Sequence, residues 1–162
     1  MYAKPSRRVK VEKSSLEDLE AIHKLERECF GGDAYSKRFI KALLTDLSAI
    51  ALKAVDDYGR ILGSVIGRME KISGKIVGRI YTVDVEPEHR RRGVGRMLLR
   101  RLEEEFRRIG CEKVVLEVAV DNEPAIKLYE SLGYRFTSRL KNYYGFGRDA
   151  YRAEKDLSRN VF

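Results

Sequence analysis

The sequence is poor in the residues that bind metals or form disulfides. Its 162 residues include two cysteines, Cys29 and Cys111, and two histidines, His23 and His89. Their spacing matches no Cys/His metal site, and so few cysteines are typical of reduced thiols. We therefore expect no metal site and no disulfide framework.

Long apolar runs are absent as well. No run is long enough to span a bilayer, and the basic segment from Met1 to Lys10 lacks the apolar stretch of a signal peptide. We therefore expect a cytoplasmic protein that does not bind membranes. The chain also has no repeat, low-complexity segment or linker. We predict a single domain over residues 1–162, long enough to bury a core.

Glutamine is missing altogether, while 36% of the residues are charged, a combination typical of heat-adapted proteins. Lysine and arginine number 33 against 25 aspartates and glutamates, which gives a net charge of +8. This balance favours an anionic partner, either a nucleotide cofactor, an acidic peptide or a nucleic acid, although solubility alone also accounts for it. Because the basic residues are interleaved with glutamate and carry no RNA-binding signature, we expect no direct nucleic-acid binding.

The spacing of apolar residues predicts a mixed α/β fold. Its predicted order is β-α-α-β-β-β-α-β-α-β-β, with a mixed central sheet flanked by about four helices. Ser14 and Glu17 form a capping-box pattern that predicts the start of the first helix. The predicted strands are residues 9–11, 49–55, 61–69, 75–85, 114–120, 134–140 and 150–157, and the predicted helices are residues 16–29, 36–47, 97–109 and 123–132.

The stretch Arg90-Arg91-Arg92-Gly93-Val94-Gly95 lies between a predicted strand and a predicted helix. The first turn of a helix binds anions, because its backbone N–H groups lack internal partners and carry roughly half a positive charge. Gly93 and Gly95 also remove Cβ atoms that would keep a phosphate from the backbone. The stretch is neither a P-loop nor a dinucleotide fingerprint, since Leu98 stands where a third glycine is needed. It predicts a site for a phosphorylated cofactor, with a plain tight turn as the alternative.

Three residues downstream are candidates for chemistry. Glu117 interrupts an apolar strand, where burial would favour a useful base, although an ion-paired glutamate on a strand face is equally consistent. Asn122 follows the end of that strand, a position that faces ligands in open α/β sheets, but it also suits a helix cap. Tyr129 lies on the next predicted helix, where an aromatic residue usually packs in the core.

From Val83 to Gly133 the chain resembles the GNAT superfamily of acetyl-CoA-dependent N-acetyltransferases, in particular its ribosomal-protein-alanine and archaeal N-terminal branch. The family's arginine-x-x-Gly-x-Gly turn falls on Arg90, Gly93 and Gly95. Its asparagine–leucine–tyrosine–glutamate helix falls on Asn122, Leu128, Tyr129 and Glu130. The segments Asn142-Tyr143-Tyr144 and Asp149-Ala150 resemble the hairpin with which N-terminal acetyltransferases cover a peptide amino terminus.

The resemblance implies a role for each matching residue. Glu117 would be the general base, acting through a water, and Tyr129 the general acid for the departing thiolate. No metal is implied. Acetyl-CoA would bind at Val83, Asp84, Val85, Arg90, Arg91, Arg92, Gly93, Val94, Gly95, Arg96 and Asn122, and the acceptor at Phe30, Tyr35, Tyr81, Tyr143 and Tyr144.

The expected reaction is direct transfer of acetyl, in a ternary complex, to the α-amino group of a protein N-terminus, with a ribosomal protein as one candidate acceptor. Two departures from the family pattern leave the acceptor open. Arg148 stands where an acidic residue is frequent, and the loop from Cys29 to Tyr35 lacks the usual proline and bulky aromatic. The alternatives are an acetyltransferase acting on lysine, a polyamine or another small amine, and a non-catalytic module that binds RNA or the ribosome.

Overall fold

A computed structural model describes residues 8–157; residues 1–7 and 158–162, the two ends of the predicted domain, lie outside the described residues. The order of helices and strands in this range confirms the predicted order. The strands are β1 Lys10–Lys13, β2 Ala49–Val55, β3 Ile61–Ile72, β4 Lys75–Val85, β5 Lys113–Ala119, β6 Arg135–Leu140 and β7 Ala150–Asp156. The α-helices are α1 Leu19–Phe30, α2 Lys37–Thr45, α3 Val94–Arg108 and α4 Glu123–Ser131.

The seven described strands form one mixed sheet in the order β1-β2-β3-β4-β5-β7-β6. Strand β4 pairs in parallel with β5, whereas β5 with β7 and β6 with β7 are antiparallel. The register between β4 and β5 has three residue pairs and ends at Arg79 and Val115. Val83 and Val85, two of the predicted cofactor residues, therefore lie on β4 beyond the end of this register.

The described residues group into two compact units. The first comprises residues 8–68 and 82–102, and the second comprises residues 69–81 and 103–157. In the first unit, a Cβ on Gly63 would lie 3.0 Å from the Asp84 carbonyl oxygen and from Leu98, so only glycine fits there. In the second, a Cβ on Gly78 would lie 2.4 Å from the buried ring of Phe106. Both close approaches require the absence of a side chain, so glycine is needed at these two strand positions.

The capping box lies one residue later than the sequence pattern predicts, and it caps a short helical turn, Leu16–Asp18, that leads into α1. The N–H of Ser14 donates to the Ala51 carbonyl at 2.9 Å, so strand hydrogen bonding continues through Ser14. The cap is formed instead by Ser15, whose N–H donates to Asp18 Oδ2 at 2.8 Å. The predicted Ser14–Glu17 pair is therefore wrong by one position, because the N–H of Ser14 is already bonded to the neighbouring strand.

Helix α3 begins earlier than predicted, at Val94 rather than Met97. The N–H of Met97 donates to the Gly93 carbonyl at 3.0 Å, which makes the glycine-containing stretch part of the first helical turn. The free N–H groups that precede this bond are thus the helix N-terminus itself. This shift moves the anion-binding end of the helix onto the sequence motif.

Candidate active site

The arginine–glycine turn leads directly into α3 within the first unit. Gly93 has a φ of 81° and Arg91 a φ of 63°, so the backbone passes twice through the left-handed region. A Cβ on Gly93 would meet no atom within 4 Å, which leaves open space in front of the backbone. The first turn of α3 contains no acidic residue. These features fit a pyrophosphate held by backbone N–H groups and surrounded by Arg90, Arg91, Arg92 and Arg96.

The end of β4 is tied to this turn by a side chain. Arg90 Nε donates to the Val85 carbonyl at 3.2 Å, and Cys29 Sγ lies 3.4 Å from the same oxygen. Val83, Asp84 and Val85 therefore belong to the same unit as the turn. The side chain of Asp84 is fully buried, so this residue offers a ligand its backbone only.

Asn122 serves as the N-cap of α4. Its Oδ1 accepts from the N–H of Ala125 at 3.3 Å, which is the capping alternative considered from the sequence. The cap uses the amide oxygen, so the amide nitrogen is the atom through which Asn122 can donate to a cofactor.

Glu117 lies on β5 and is held by two arginines from neighbouring strands. Its Oε1 accepts from Arg79 Nη1 on β4 and, at 3.1 Å, from Arg152 Nη2 on β7. Within residues 8–157 no donor is bonded to Oε2. Only 7% of the side chain is exposed. The ion-paired alternative for Glu117 is therefore correct, and Oε2 is the carboxylate oxygen that stays available to accept a proton.

The ion pairs extend from Glu117 to a second carboxylate. Arg79 Nε donates to Glu70 Oε2 at 2.8 Å, and Tyr81 Oη donates to Glu70 Oε1 at 2.6 Å. Burial by itself lowers the pKa of Arg79, but its bonds with the two glutamates outweigh burial and raise the pKa. Glu70, Arg79, Glu117 and Arg152, which we call the strand ion network, thus contain two negative and two positive charges.

Tyr143 and Tyr144 follow β6 and lie beside Glu117. Tyr144 Oη is 3.5 Å from the Glu117 carbonyl oxygen, and the two tyrosine rings are 4.9 Å apart in an edge-to-face arrangement. Burial and the charge of Glu117 raise the pKa of Tyr143, so its hydroxyl remains protonated and can donate. The structure therefore brings Glu117, Tyr81, Tyr143 and Tyr144 together in the second unit.

Tyr129 is buried on α4 in the same unit. Its ring meets that of Tyr134 edge-on at 5.5 Å between centroids. Tyr134 Oη donates to the buried Glu103 at 2.7 Å, and burial followed by the charge of Glu103 raises the pKa of Tyr134 well above its usual range. This packing fixes the orientation of the Tyr129 ring.

Phe30 and Tyr35 lie in the first unit, at the two ends of a short helical turn formed by Gly31–Asp33. The Tyr35 ring packs against Phe39 at 4.6 Å between centroids, and the Tyr35 N–H donates to Glu26 Oε2 at 3.0 Å. Glu26 is 1% exposed and was not predicted as a site residue. A signal for it exists, because Glu26 interrupts the apolar stripe of α1.

The described residues contain no group of three or more His, Cys, Asp and Glu side chains that could hold a metal ion. Likewise, none of the helices between residues 8 and 157 is both long and apolar enough to cross a membrane.

Strand β4, the arginine–glycine turn, helix α3 and strand β5 with Glu117 follow one another in this order. Residues 18–134 match the Acetyltransferase (GNAT) family, and the chain belongs to this family. It is an N-acetyltransferase whose acetyl donor is acetyl-CoA. The resemblance seen in the sequence is thereby confirmed.

Known relatives share this architecture. The chain is 30% identical over 158 residues to an N-alpha-acetyltransferase of Sulfurisphaera tokodaii, covering 92% of this chain and 93% of the relative. It is 43% identical over 65 residues to the ribosomal protein bS18-alanine N-acetyltransferase of Salmonella typhimurium, covering 40% of this chain and 44% of that one. The crystal structure of Ard1 from Thermoplasma volcanium superposes with a TM-score of 0.82 at 25% identity, covering 93% and 99% of the two chains.

Proposed function

We propose that the protein transfers an acetyl group from acetyl-CoA to the α-amino group of a protein N-terminus by direct attack in a ternary complex. The observation that carries the proposal is the strand ion network, in which a glutamate with a 7% exposed side chain is paired with two arginines and lies beside tyrosines. A ribosomal protein is one candidate acceptor. The cytoplasmic location and the single domain of residues 1–162 expected from the sequence remain part of this proposal.

The donor half of the reaction is assigned to the first unit. Backbone N–H groups from Arg91 to Arg96 would hold the pyrophosphate, where Gly93 leaves room for it. The backbone of Val83 and Val85 would pair with the pantetheine arm as an added strand does, and the Asn122 amide would donate to the same arm. Acetyl-CoA, when bound, supplies the acetyl thioester.

Glu117 is assigned the role of general base. Its Oε2 accepts, through a water, the proton that the attacking ammonium must release. An α-amino group titrates near 8, so deprotonating it at pH 7 costs about 1 kcal/mol, whereas a lysine near 10.4 costs roughly 4.5 kcal/mol. A carboxylate is a weak base, and it suffices for deprotonating an α-amino group far better than for deprotonating a lysine.

Tyr129 is assigned the role of general acid toward the leaving sulfur. Full proton transfer from a phenol near 10 to a thiolate of about 8.5 is uphill by about 2 kcal/mol. A hydrogen bond from the Tyr129 hydroxyl that strengthens as the thiolate develops lowers the barrier without that cost. Neither Cys29 nor Cys111 is needed as a nucleophile, because the amine attacks directly.

The charge balance of the strand ion network favours an α-amine over a polyamine. A polyamine carries several positive charges and calls for carboxylates without cationic partners. Glu70 and Glu117 are instead each bonded to an arginine. Tyr143 and Tyr144 add aromatic surface and hydroxyl groups, which suit a peptide backbone.

The test is acetyl transfer from acetyl-CoA to matched peptide sets, read by mass spectrometry. One set carries free N-termini beginning with Ser, Ala, Met, Thr or Glu and contains no lysine. The other has blocked N-termini and one lysine, and spermidine serves as a third acceptor. Acetylation of the first set is expected, with a ranking of first residues.

Other outcomes would redirect the assignment. Transfer mainly to lysine would contradict the role given to a weak base. Transfer to spermidine alone would contradict the argument that the paired charges of the strand ion network favour an α-amine over a polyamine. Binding of acetyl-CoA without transfer to any acceptor would mean that the acceptor is another amine.

A further inference from the structure

A second carboxyl cluster lies in the first unit, and none of its residues is assigned to proton transfer. Glu26 on α1 and Asp84 on β4 are 1% and 0% exposed. Thr82 Oγ1 donates to Glu26 Oε1 and lies 3.2 Å from Asp84 Oδ1, so one hydroxyl links the two carboxyls. Two adjacent carboxyls this deeply buried cannot both be ionised without a large cost.

One proton therefore resides on the pair, and the contacts assign it to Asp84. Glu26 accepts two hydrogen bonds, one from the hydroxyl of Thr82 and one from the N–H of Tyr35. Asp84 Oδ2 is buried and has no hydrogen-bond partner within residues 8–157, which leaves it to carry the proton. Burial, the charge of Glu26 and a hydrogen bond with Glu26 raise the pKa of Asp84 well above its usual range, although Arg90 opposes this.

The pair connects two segments that the proposed function uses. Glu26 Oε2 accepts the N–H of Tyr35 at 3.0 Å, at the end of the acceptor loop, as we call residues 31–36. Asp84 stands between Val83 and Val85 on the strand assigned to the pantetheine arm. Cys29, on the same helix face as Glu26, contacts the Val85 carbonyl.

We propose that Glu26 is a positioning residue that holds the acceptor loop in its binding conformation, and that the Thr82 hydroxyl, which donates to Glu26, holds Glu26 in place. This inference rests on the proposed function, because the proposed function is what assigns Phe30 and Tyr35 to the acceptor. It predicts that Glu26 affects acceptor affinity while leaving donor binding and the chemical step nearly unchanged.

The first test compares variants of the full-length protein for acceptor KM, kcat, acetyl-CoA Kd and thermal midpoint. Glu26→Leu removes the acceptor of the Tyr35 N–H and should raise acceptor KM about tenfold or more, with kcat changed less than about threefold. Glu26→Gln keeps an amide oxygen and should rescue most of the effect. Val65→Ala, a buried change in the same unit, controls for general destabilisation.

Three outcomes of these kinetics would overturn the proposal. They are a folded Glu26→Leu variant with unchanged acceptor KM, a parallel rise in acetyl-CoA Kd, and an equal KM effect from Val65→Ala.

A second measurement needs neither a variant nor an acceptor. The Tyr35 amide of the wild-type protein should exchange with solvent at least about tenfold more slowly than an unbonded loop amide. An unprotected Tyr35 amide would show that Glu26 does not hold the loop, even if Glu26→Leu fails to fold. Failure of peptide acetylation with a protected Tyr35 amide would instead count against the proposed function alone.

Discussion

Replacing Glu117 by glutamine separates the role of its carboxylate in catalysis from its role in the strand ion network. The substitution keeps the shape of the side chain but removes its charge and its ability to accept a proton. We expect turnover to fall about 100-fold or more, which corresponds to roughly 2.7 kcal/mol in the barrier. Acetyl-CoA affinity should change less than about twofold, because Glu117 is not among the residues assigned to acetyl-CoA.

The loss of stability should be smaller than the loss of catalysis. Arg79 keeps Glu70 as a partner, and the side chain of Arg152 is 39% exposed and therefore partly hydrated. Since one arginine keeps a partner and the other is partly hydrated, losing their bonds to the Glu117 carboxylate costs about 1–2 kcal/mol of folding stability. That lowers the melting temperature by roughly 2–8 °C for a chain of this size. A protein stabilised by about 5–15 kcal/mol stays folded at 25 °C, so reduced turnover cannot be attributed to unfolding.

The assay measures single-turnover acetyl transfer, acetyl-CoA binding and thermal melting for Glu117→Gln and Arg152→Gln side by side. Arg152→Gln disturbs the same network but keeps the carboxylate, so it should lose a similar amount of stability and less than about tenfold in turnover. Equal losses of turnover in the two variants would refute Glu117 as the base and leave it a structural ion-pair partner. Unchanged turnover in Glu117→Gln would do the same.

Three further predictions concern the cofactor turn, the acceptor hairpin and a buried hydroxyl. Gly93→Leu should weaken acetyl-CoA binding about tenfold or more, as measured by titration calorimetry. The control Gly59→Leu, at a similarly positive φ and with no atom within 4 Å of its Cβ, should lose only stability. Equal acetyl-CoA affinities of the two variants would contradict the assignment of the turn to the phosphates. Tyr143→Ala should raise acceptor KM about tenfold in steady-state kinetics, whereas Phe146→Ala, which removes a side chain 96% exposed on the same hairpin, should not. Because the pKa of Tyr134 is raised in the folded protein, its contribution to stability is complete below pH about 10 and is lost as the pH rises through the folded-state pKa. Tyr134→Phe should abolish this loss of stability at alkaline pH, as measured by thermal melts recorded against pH.

The order of elements could be predicted because each signal is local. Alternation and turn residues alone give β2 and β4 the bounds that the structure has. Local signals fail where two local interactions compete for one residue. Ser14 suits a helix cap, but its N–H completes the β1–β2 ladder, so the cap moves to Ser15.

The partners of Glu117 could not be predicted from the sequence. Arg152 stands opposite Glu117 because of the register between β5 and β7, and Arg79 comes near through the register between β4 and β5. Register depends on the packing of whole strands, and a one-residue slip would turn these side chains to the other face. The sequence could therefore indicate a functional glutamate without indicating which cations balance it.

Glu26 stands out in the sequence as a charged residue among apolar ones, but the sequence does not indicate its role. A carboxylate within the apolar stripe formed by Ile22, Leu25 and Cys29 must be paired when the helix packs. Its partners, Thr82 and Asp84, are 56 and more residues away in the sequence. Asp84 itself was expected to offer its backbone to a cofactor, and its buried side chain became visible only in the fold.

The most direct test of the account uses one peptide that carries both a free N-terminus and an internal lysine. After acetyl transfer at pH 7, fragmentation by mass spectrometry locates the acetyl group on the α-nitrogen or on lysine Nζ. Since the two amines differ by roughly 3.5 kcal/mol in the cost of deprotonation, the account predicts modification of the α-nitrogen almost alone. Acetyl on Nζ, or no transfer by a protein that binds acetyl-CoA, would contradict it.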